Sequence, residues 1–307
     1  MRIAAMAAGG VGGYFGARLA AAGHEVAFLA RGAHLKAIRE RGLTVESRLG
    51  DLHIPKPIAT DDPAAVGPVD IVLFAVKLWD TEHAGKMARP LIGKETRLIT
   101  LQNGIDAPEQ LAAILGPEHV IAGCAYVATV IGEPGVIQQT SQFARIRCGR
   151  LDNAADAKLS AFVDAAQKAG IDIAIAEDMQ VERWRKFIFL VTMSAATAST
   201  RLPIGPIVAD DDTRSFFLGL MQEVIAVGRA TGVKLPETLT EEGMAFLKNA
   251  PADMRASMAH DLERGNRMEL DWLSGRVVTL GRALGVPTPK NEAVYSILKL
   301  HRMGAAA

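Results

Sequence analysis

A glycine-rich segment near the start of the chain has the residue spacing that a phosphate-binding turn needs. Residues 7–13 read Ala-Ala-Gly-Gly-Val-Gly-Gly, between an apolar run and a helical pattern. Gly9 allows the backbone to approach a pyrophosphate, and Gly12 allows the helix to pack closely on the strand. The backbone amides of Gly10 and Val11 stand at the helix start, where they can donate to phosphate oxygens. The segment predicts a dinucleotide-binding turn; a glycine turn that only shapes the chain is the alternative.

Two nearby residues indicate which dinucleotide binds. Ala7 occupies the first glycine position of the dinucleotide fingerprint, and its methyl group fits there if φ is negative. Arg31 follows the second apolar run, residues 25–30, at the place where NAD-binding proteins carry Asp or Glu for the ribose 2′-hydroxyl. Because a guanidinium pairs well with a phosphate, Arg31 predicts a cofactor with a 2′-phosphate, NADPH. A solvated surface arginine is the alternative.

Two polar residues follow apolar runs further along the chain. Lys77 comes directly after residues 71–76, and Asn103 comes directly after residues 98–102. In open parallel sheets, ligands bind beyond the carboxyl ends of the strands. We therefore expect both side chains to line the crevice above the sheet, on the nicotinamide side of the cofactor. A polar residue that merely marks the end of a strand is the alternative.

The strands and helices that position these residues can be predicted from alternating apolar and helical patterns in the sequence. Up to residue 177 these patterns predict a parallel sheet with helices on both faces, and a hairpin at 129–140 whose antiparallel edge is extended by Ala144–Cys148. The other predicted strands are Ile3–Ala7, Glu25–Ala30, Ile71–Val76, Leu98–Gln102, Val120–Ala125 and Ile171–Ala176. The helices predicted later in the chain are Met179–Ser199, Asp211–Thr231, Glu237–Leu247, Asp253–Arg264, Met268–Leu284 and Asn291–Leu300. We predict an α/β fold, with a dinucleotide-binding domain at 1–177 and an all-helical domain at 178–307.

Composition restricts the class of protein. The 307 residues include 34 Lys and Arg against 34 Asp and Glu, so neither nucleic acid nor an anionic membrane is expected as the main partner. Cys124 and Cys148 lie in apolar, strand-like surroundings, which predicts two buried, reduced thiols. The longest apolar tract, residues 187–199, is too short to span a bilayer. We expect a cytoplasmic protein that needs no metal.

Seven segments, taken in order, form a specific pattern. They are the glycine turn at 7–13, Ala30–Gly32, Val76–Lys77, Leu101–Gly104, Glu182–Phe187, Ser257–Met258 and Glu269–Asp271. Together they resemble the ketopantoate reductase (2-dehydropantoate 2-reductase) family, and the resemblance runs nearly end to end. Members of that family reduce a 2-oxo acid with NADPH. The resemblance implies a Rossmann-type N-terminal domain followed by a helical domain, with a cleft between them.

The resemblance also implies roles for five residues. Lys186 corresponds to the general acid that protonates the ketone oxygen, and Glu269 to the carboxylate that pairs with it. Lys77 and Asn103 correspond to residues on the nicotinamide side, with Asn103 and Ser257 binding the substrate. Reduction of a ketone requires such residues, because hydride addition builds negative charge on the carbonyl oxygen. An ammonium group can stabilise this charge and then neutralise it with a proton. A solvated helix residue is the alternative for Lys186.

Helix geometry restricts two of these assignments. Ser257 and Glu269 are 12 positions apart. On one unbroken helix they would lie about 18 Å apart along the axis, too far to serve one small substrate. Gly265 stands between them and is a poor helix residue, so we expect the helix to break at 264–266.

Three positions depart from the family pattern on the substrate side. Leu190 and Ser194 follow Lys186 at intervals of four and eight, which places them on its face of a helix. Met254 stands one turn before Ser257. Reductases that act on ketopantoate commonly carry asparagine at all three positions. Leu190 and Met254 cannot donate a hydrogen bond, whereas Ser194 can still bind substrate through its hydroxyl. The loss of polar contacts favours a less hydroxylated substrate.

Three functions compete on this sequence. The first is NADPH-dependent reduction of 2-dehydropantoate to pantoate, a step of pantothenate biosynthesis, with Lys186 as general acid. The second is reduction of a different, bulkier or less hydroxylated 2-oxo acid. The third is an NADPH-binding sensor without turnover, which would have no need of Lys186 and Glu269. The apolar helix faces of the second domain are compatible with a homodimer.

Overall fold

The chain forms two compact units. The computed structural model describes residues 1–305, and the last two residues lie outside that range. The first unit is Met1–Met179 and the second begins at Gln180. Strands and helices alternate in the first unit, whereas the second contains helices and short helical turns over its described residues. The predicted α/β fold with a helical C-terminal region is confirmed.

A large sheet runs through the first unit. In chain order the strands are β1 (Arg2–Met6), β2 (Glu25–Leu29), β3 (Leu43–Ser47), β4 (Leu52–Ile54), β5 (Ile58–Thr60), β6 (Ile71–Phe74), β7 (Arg97–Thr100), β8 (Val120–Tyr126), β9 (Thr129–Glu133), β10 (Val136–Gln139), β11 (Arg145–Gly149) and β12 (Asp172–Ile175). Eight of these described strands form the main sheet, in the order β12-β11-β8-β7-β6-β1-β2-β5. Neighbouring strands are parallel except β8 and β11, which are antiparallel.

Helices cover both faces of the main sheet, as the apolar runs predict. The helices of the first unit are α1 (Gly10–Ala21), α2 (Gly32–Arg41), α3 (Thr81–Met87), α4 (Ala107–Leu115) and α5 (Ala157–Lys168). Successive residues of a strand point to opposite faces. Ile3 accordingly packs in one core with Phe15 of α1 and Phe162 of α5. Its neighbour Ala4 packs in another core, with Leu111 of α4.

A smaller sheet corrects one prediction. β9 and β10 form the predicted antiparallel hairpin, but they belong to a separate sheet with the order β4-β3-β10-β9. The prediction that Ala144–Cys148 extends this hairpin is wrong, because β11 pairs with β8 and β12 in the main sheet. Ile146 and Cys148 are buried in the main core, and this burial selects the partner strands. The short strands β3, β4 and β5 were not predicted.

The second unit consists of helices of unequal length. They are α6 (Met179–Thr200), α7 (Ile204–Ala209), α8 (Asp211–Ala230), α9 (Leu239–Asn249), α10 (Ser257–Glu263), α11 (Ser274–Leu284) and α12 (Pro289–Leu298). The prediction of a helix from Asp253 is wrong at its start. The carbonyls of Ala252 and Met254 accept bonds from the first amides of α7, which holds this stretch outside a helix. Within residues 1–305, no helix is both long and apolar enough to cross a membrane.

Candidate active site

Four of the segments predicted to bind the cofactor lie at the carboxyl edge of the main sheet. Because β7, β6, β1 and β2 are parallel neighbours, the segments that follow them lie side by side. Their order is Asn103, Lys77, the glycine turn and Arg31. Strands are about 4.8 Å apart, so this row spans about 14 Å. β2 and β6 lie on opposite sides of β1, which makes this edge the switch point where doubly wound sheets bind ligands.

The glycine turn is tight at one glycine and open at another. A Cβ on Gly12 would overlap the carbonyl oxygen of Ala7, so α1 lies against the end of β1 as predicted. A Cβ on Gly9 would have no neighbouring atom within 4 Å. In the described chain, Asn153 and Arg201 are the non-glycine residues with positive φ, so the methyl group of Ala7 is accommodated. The open backbone at Gly9 fits a phosphate group.

The start of α1 is suited to an anion. Gly9 is the N-cap, and among the described residues no side chain caps the first amides and no acidic residue occupies the first turn. These amides and the positive end of the helix dipole favour a negative group. Gly10 has a further role that the motif did not reveal. A Cβ there would lie 2.7 Å from the carbonyl oxygen of Thr129, so β9 packs directly on the helix start.

Arg31 stands at the surface beside the glycine turn. It is exposed and forms the N-cap of α2 in an extended conformation. Its Nη2 lies 3.4 Å from the sulfur of Met87. A thioether is a weak acceptor, so this contact is easily exchanged for a phosphate oxygen.

Lys77 and Asn103 each follow a strand, as predicted, and the two strands are neighbours in the main sheet. Lys77 is exposed, and its Nζ lies 5.6 Å from the centroid of the Trp79 ring. Asn103 is partly buried. Since β6 and β7 are parallel, both residues stand at the carboxyl edge of the sheet.

A buried hydrogen-bond chain links the two loops that carry these residues. Gln102 is 8% exposed, and its amide donates to the hydroxyl of Thr81 over 2.8 Å. Thr81 donates in turn to the carbonyl of Leu78, and Thr100 donates to the carbonyl oxygen of Gln102. The loop after β6 and the end of β7 are therefore joined by satisfied polar groups.

In the second unit, Lys186 lies on α6 between buried aromatic residues. Trp184 and Phe187 are buried and pack edge to face with ring centroids 5.5 Å apart. Lys186 and Leu190 are partly buried, whereas Ser194 is fully buried. The Ser194 hydroxyl has no hydrogen-bond partner among the described residues. The face that these three residues share therefore becomes more enclosed along the helix.

The predicted break between Ser257 and Glu269 is confirmed. α10 ends at Glu263, and Gly265 has a φ of 67°. The amide of Asn266 then bonds to the carbonyl of Asp261, which turns the chain away from the helix axis. Ser257 is exposed at the start of α10, and Glu269 is 6% exposed. The two residues do not lie on one straight helix.

Cys124 and Cys148 both lie within the described residues; neither forms a disulfide bond, and both are buried. Burial, reinforced by the nearby Cys124, raises the pKa of the Cys148 thiol to about 12. A thiol in this state is protonated at neutral pH and is no nucleophile. The prediction of two buried thiols outside any disulfide is confirmed for these described residues.

Family models cover most of the chain. The model described as Ketopantoate reductase PanE/ApbA matches residues 3–153, and the model of the C-terminal part of the same family matches residues 178–302. The chain belongs to the ketopantoate reductase family. It is therefore an oxidoreductase of the 2-dehydropantoate 2-reductase type, and the family indicates binding of a nicotinamide dinucleotide.

Individual relatives are similar to this chain over nearly their full lengths. A 2-dehydropantoate 2-reductase from Mesorhizobium japonicum is 30% identical, with 97% of each chain covered. An uncharacterized oxidoreductase from Bacillus subtilis, YkpB, is 28% identical over 98% of this chain and 99% of its own. A crystal structure of a PanE/ApbA family ketopantoate reductase from Ralstonia eutropha JMP134 is 33% identical, covers 98% of both chains and has a TM-score of 0.90.

Three residues at the carboxyl edge of the main sheet were not predicted from the sequence. They are Gln102, Thr129 and His34. Gln102 carried a readable signal, since it is a polar residue at the end of an apolar run. Thr129 and His34 carried none, because their contacts are with segments distant in the sequence.

Proposed function

We propose that the protein reduces a 2-oxo acid to the 2-hydroxy acid with NADPH. The observation that carries this proposal is the row of Asn103, Lys77, the glycine turn and Arg31 along one edge of the main sheet. In this proposal residues 1–177 form the cofactor domain. The domain from residue 178 onward supplies the general acid and contacts to the substrate.

The residues at the sheet edge fit a phosphorylated dinucleotide. Open space at Gly9 and the uncapped amides of α1 would receive the pyrophosphate. Arg31 would bind the 2′-phosphate, and Lys77 and Asn103 would line the nicotinamide side. When bound, NADPH supplies the hydride.

The proton comes from Lys186 in this proposal. Its ammonium stabilises the negative charge that builds on the ketone oxygen and then transfers a proton to it. Glu269, which is buried, is assigned to pair with this lysine and to help organise the site. The exposed Ser257 and the carboxamide of Asn103 are assigned to the substrate carboxylate and its neighbouring oxygens.

Two substrates are favoured by different observations. Membership of the ketopantoate reductase family supports 2-dehydropantoate, and hence a place in pantothenate biosynthesis. A less hydroxylated 2-oxo acid is supported by Leu190 and Met254, which are partly buried and offer no hydrogen-bond donor. Ser194, the side-chain donor among the three positions that depart from the family pattern, is fully buried. Its unpartnered hydroxyl is assigned to the substrate in either case.

The test is an assay of NADPH oxidation with a panel of 2-oxo acids, in which the reaction is monitored as the loss of NADPH absorbance. Lys186→Ala should lower kcat about 1,000-fold, the scale of a general acid, while the NADPH Kd stays unchanged. Lys248→Ala is the matched control, because Lys248 is an exposed lysine in the last turn of α9. This control should keep its kcat within about twofold of the unmodified protein.

Each outcome assigns the function differently. Turnover of 2-dehydropantoate supports pantoate formation, and turnover of less hydroxylated acids alone supports the second substrate class. Binding of NADPH without turnover of any acid would point to the sensor and contradict the proposal. A lower Kd for NADPH than for NADH is expected from Arg31. We place the enzyme in the cytoplasm, since two buried cysteines that form no disulfide within the described residues suit a reducing compartment.

A further inference from the structure

His34 joins two parts of the first unit that the proposed cofactor site uses. It lies in the first turn of α2, three residues after Arg31, and is partly buried. Its Nε2 lies 2.9 Å from the carbonyl oxygen of Ala8, in the glycine turn. Its Nδ1 lies 3.0 Å from the backbone nitrogen of Gly135, in the turn between β9 and β10.

These partners determine the protonation of the ring. A carbonyl only accepts and a backbone N–H only donates, so Nε2 carries the proton and Nδ1 accepts. Burial lowers the pKa of His34 and outweighs the opposite effect of the bond to Ala8. The imidazole is therefore neutral at physiological pH, and both of its nitrogens are used.

The backbone of Ala8 is hydrogen-bonded through both its amide and its carbonyl. Its amide donates to the carbonyl of Leu29, at the end of β2, over 2.7 Å. Its carbonyl accepts from His34, and Gly13 leaves room for that oxygen, since a Cβ there would lie 3.2 Å away. The residue that precedes the N-cap Gly9 is thus fastened to both β2 and α2.

The second bond of His34 reaches the hairpin that packs on the start of α1. Arg41, at the end of α2, donates over 2.8 Å to the carbonyl of Pro134 in the same hairpin turn. At the other end of the hairpin, Thr129 packs on Gly10. One imidazole therefore links α2, the glycine turn and the hairpin.

We propose that His34 is a positioning residue that holds Arg31, the N-cap of α2, at a fixed position relative to Ala8 and the glycine turn. This proposal rests on the proposed function, because it assumes that the turn and Arg31 bind one dinucleotide. A ligand with two phosphate groups gains affinity from two binding sites only if the protein already holds those sites at the right spacing. NADPH uses both sites, whereas NADH uses only the turn. Loss of His34 should therefore weaken NADPH binding more than NADH binding.

The experiment compares substitutions of matched size by fluorescence titration of NADPH and NADH. His34→Leu removes both hydrogen bonds, whereas His34→Gln keeps a donor and an acceptor at similar spacing. His34→Leu should raise the NADPH Kd about tenfold and the NADH Kd about threefold, with kcat at saturating NADPH within about twofold. His34→Gln should restore the NADPH Kd to within about threefold of the unmodified protein.

A matched control separates this role from general stability. His53→Leu removes an exposed histidine whose Nδ1 bonds the Thr44 hydroxyl over 2.9 Å in the small sheet. It should leave both dinucleotide affinities unchanged. If His34→Leu does not fold, His34→Asn replaces it in the test. The shorter amide of asparagine cannot reach both partners, so this variant should bind NADPH more weakly than His34→Gln by the same factor.

Three results would overturn the inference. They are an unchanged NADPH Kd in His34→Leu, an equal rise in the Kd of both dinucleotides, and a His34→Gln protein as weak as His34→Leu. Failure of the proposed function looks different. In that case the unmodified protein would not bind NADPH, or would bind it without reducing any 2-oxo acid.

Discussion

The two edges of the main sheet are built from different chemistry. At the amino edge, charged side chains pair with each other. Nε of Arg97, at the start of β7, lies 2.6 Å from the carboxylate of Asp156, and Nε of Arg2 lies 3.0 Å from that of Glu25. At the carboxyl edge, the strands lead instead into glycines and exposed cations, among them Arg31.

The difference shows how one sheet separates stability from binding. Ion pairs at the amino edge satisfy their charges within the protein, and they join β1 to β2 and β7 to the N-cap of α5. At the carboxyl edge stand the amides and cations to which we assign the cofactor in the proposed function. Substitutions at the carboxyl edge should therefore change cofactor affinity, and substitutions at the amino edge should change the free energy of unfolding.

Gly9→Ala should produce the largest effect and tests the carboxyl edge. The φ of Gly9 is −76°, which alanine adopts freely, and a Cβ there meets no atom within 4 Å. The methyl group would occupy the space assigned to a phosphate. We expect the NADPH Kd to rise about 30-fold, or about 2 kcal/mol, by fluorescence titration. Because glycine and alanine differ as N-caps, calorimetry should show a loss of stability below about 1 kcal/mol.

Gly12→Ala is the control for this prediction. Its Cβ would overlap the carbonyl oxygen of Ala7, so the helix must move away from β1. Overpacking of this kind costs about 1–3 kcal/mol of stability. A Gly9→Ala protein that is as destabilised as Gly12→Ala would contradict the assignment of open ligand space to Gly9.

Asp156→Asn tests the amino edge. The Asp156 side chain caps α5 by accepting from the amide of Leu159 and pairs with Arg97, and it is almost fully buried. Asparagine keeps the cap but loses the charge, so we expect a loss of about 1.5 kcal/mol at pH 7 with an unchanged NADPH Kd. Asp152→Asn removes an exposed partner of Arg150 and should leave Tm nearly unchanged.

The effect of Asp156 should depend on pH in a defined direction. Burial alone would raise its pKa, but the hydrogen bonds from Arg97 and Leu159 outweigh burial and hold the pKa below its ordinary value. A carboxyl group with a lowered folded pKa stabilises the protein fully above its unfolded pKa, about 4, and loses this contribution as the pH falls through the folded pKa. The Tm difference between Asp156→Asn and the unmodified protein should therefore shrink below about pH 4. A difference that widens in acid would show that the charge pair is not its source.

The main sheet could be predicted because its central strands are apolar runs with clear ends. β1 ends before the glycine turn, β6 ends shortly before Lys77, and β7 ends shortly before Asn103. β11 was assigned to the wrong partner, because periodicity identifies a strand but not its neighbour. The burial of Ile146 and Cys148 beside α5 decides that pairing, and it depends on residues distant in the sequence.

The candidate site was predictable to a similar extent. The motif revealed why Gly12 must be glycine, since the contact with Ala7 is local. It did not reveal the contact of Gly10 with Thr129 or the bond from His34 to Ala8, because each joins segments that meet only in the folded chain. In the second unit, Gly265 was readable as a helix break because glycine acts locally.

Gln102→Leu should have the smallest effect and tests whether the two edges are fully separate. Leucine has a similar size, but it removes the donor to Thr81 and the acceptor of Thr100 from a buried chain of hydrogen bonds. We expect a loss of about 1 kcal/mol of stability together with an about threefold fall in kcat/KM, because the loops that carry Lys77 and Asn103 lose their link.

Gln110→Leu, at an exposed position on α4, should change neither the stability nor kcat/KM. A Gln102→Leu protein that loses stability while kcat/KM is unchanged would show that this buried chain behaves like the amino edge, although it lies at the carboxyl one. Combined loss of stability and kcat/KM would mean that the carboxyl edge contains its own internal support. In that case stability and binding are separated among the surface groups assigned to the ligand. They are not separated at the buried amide of Gln102.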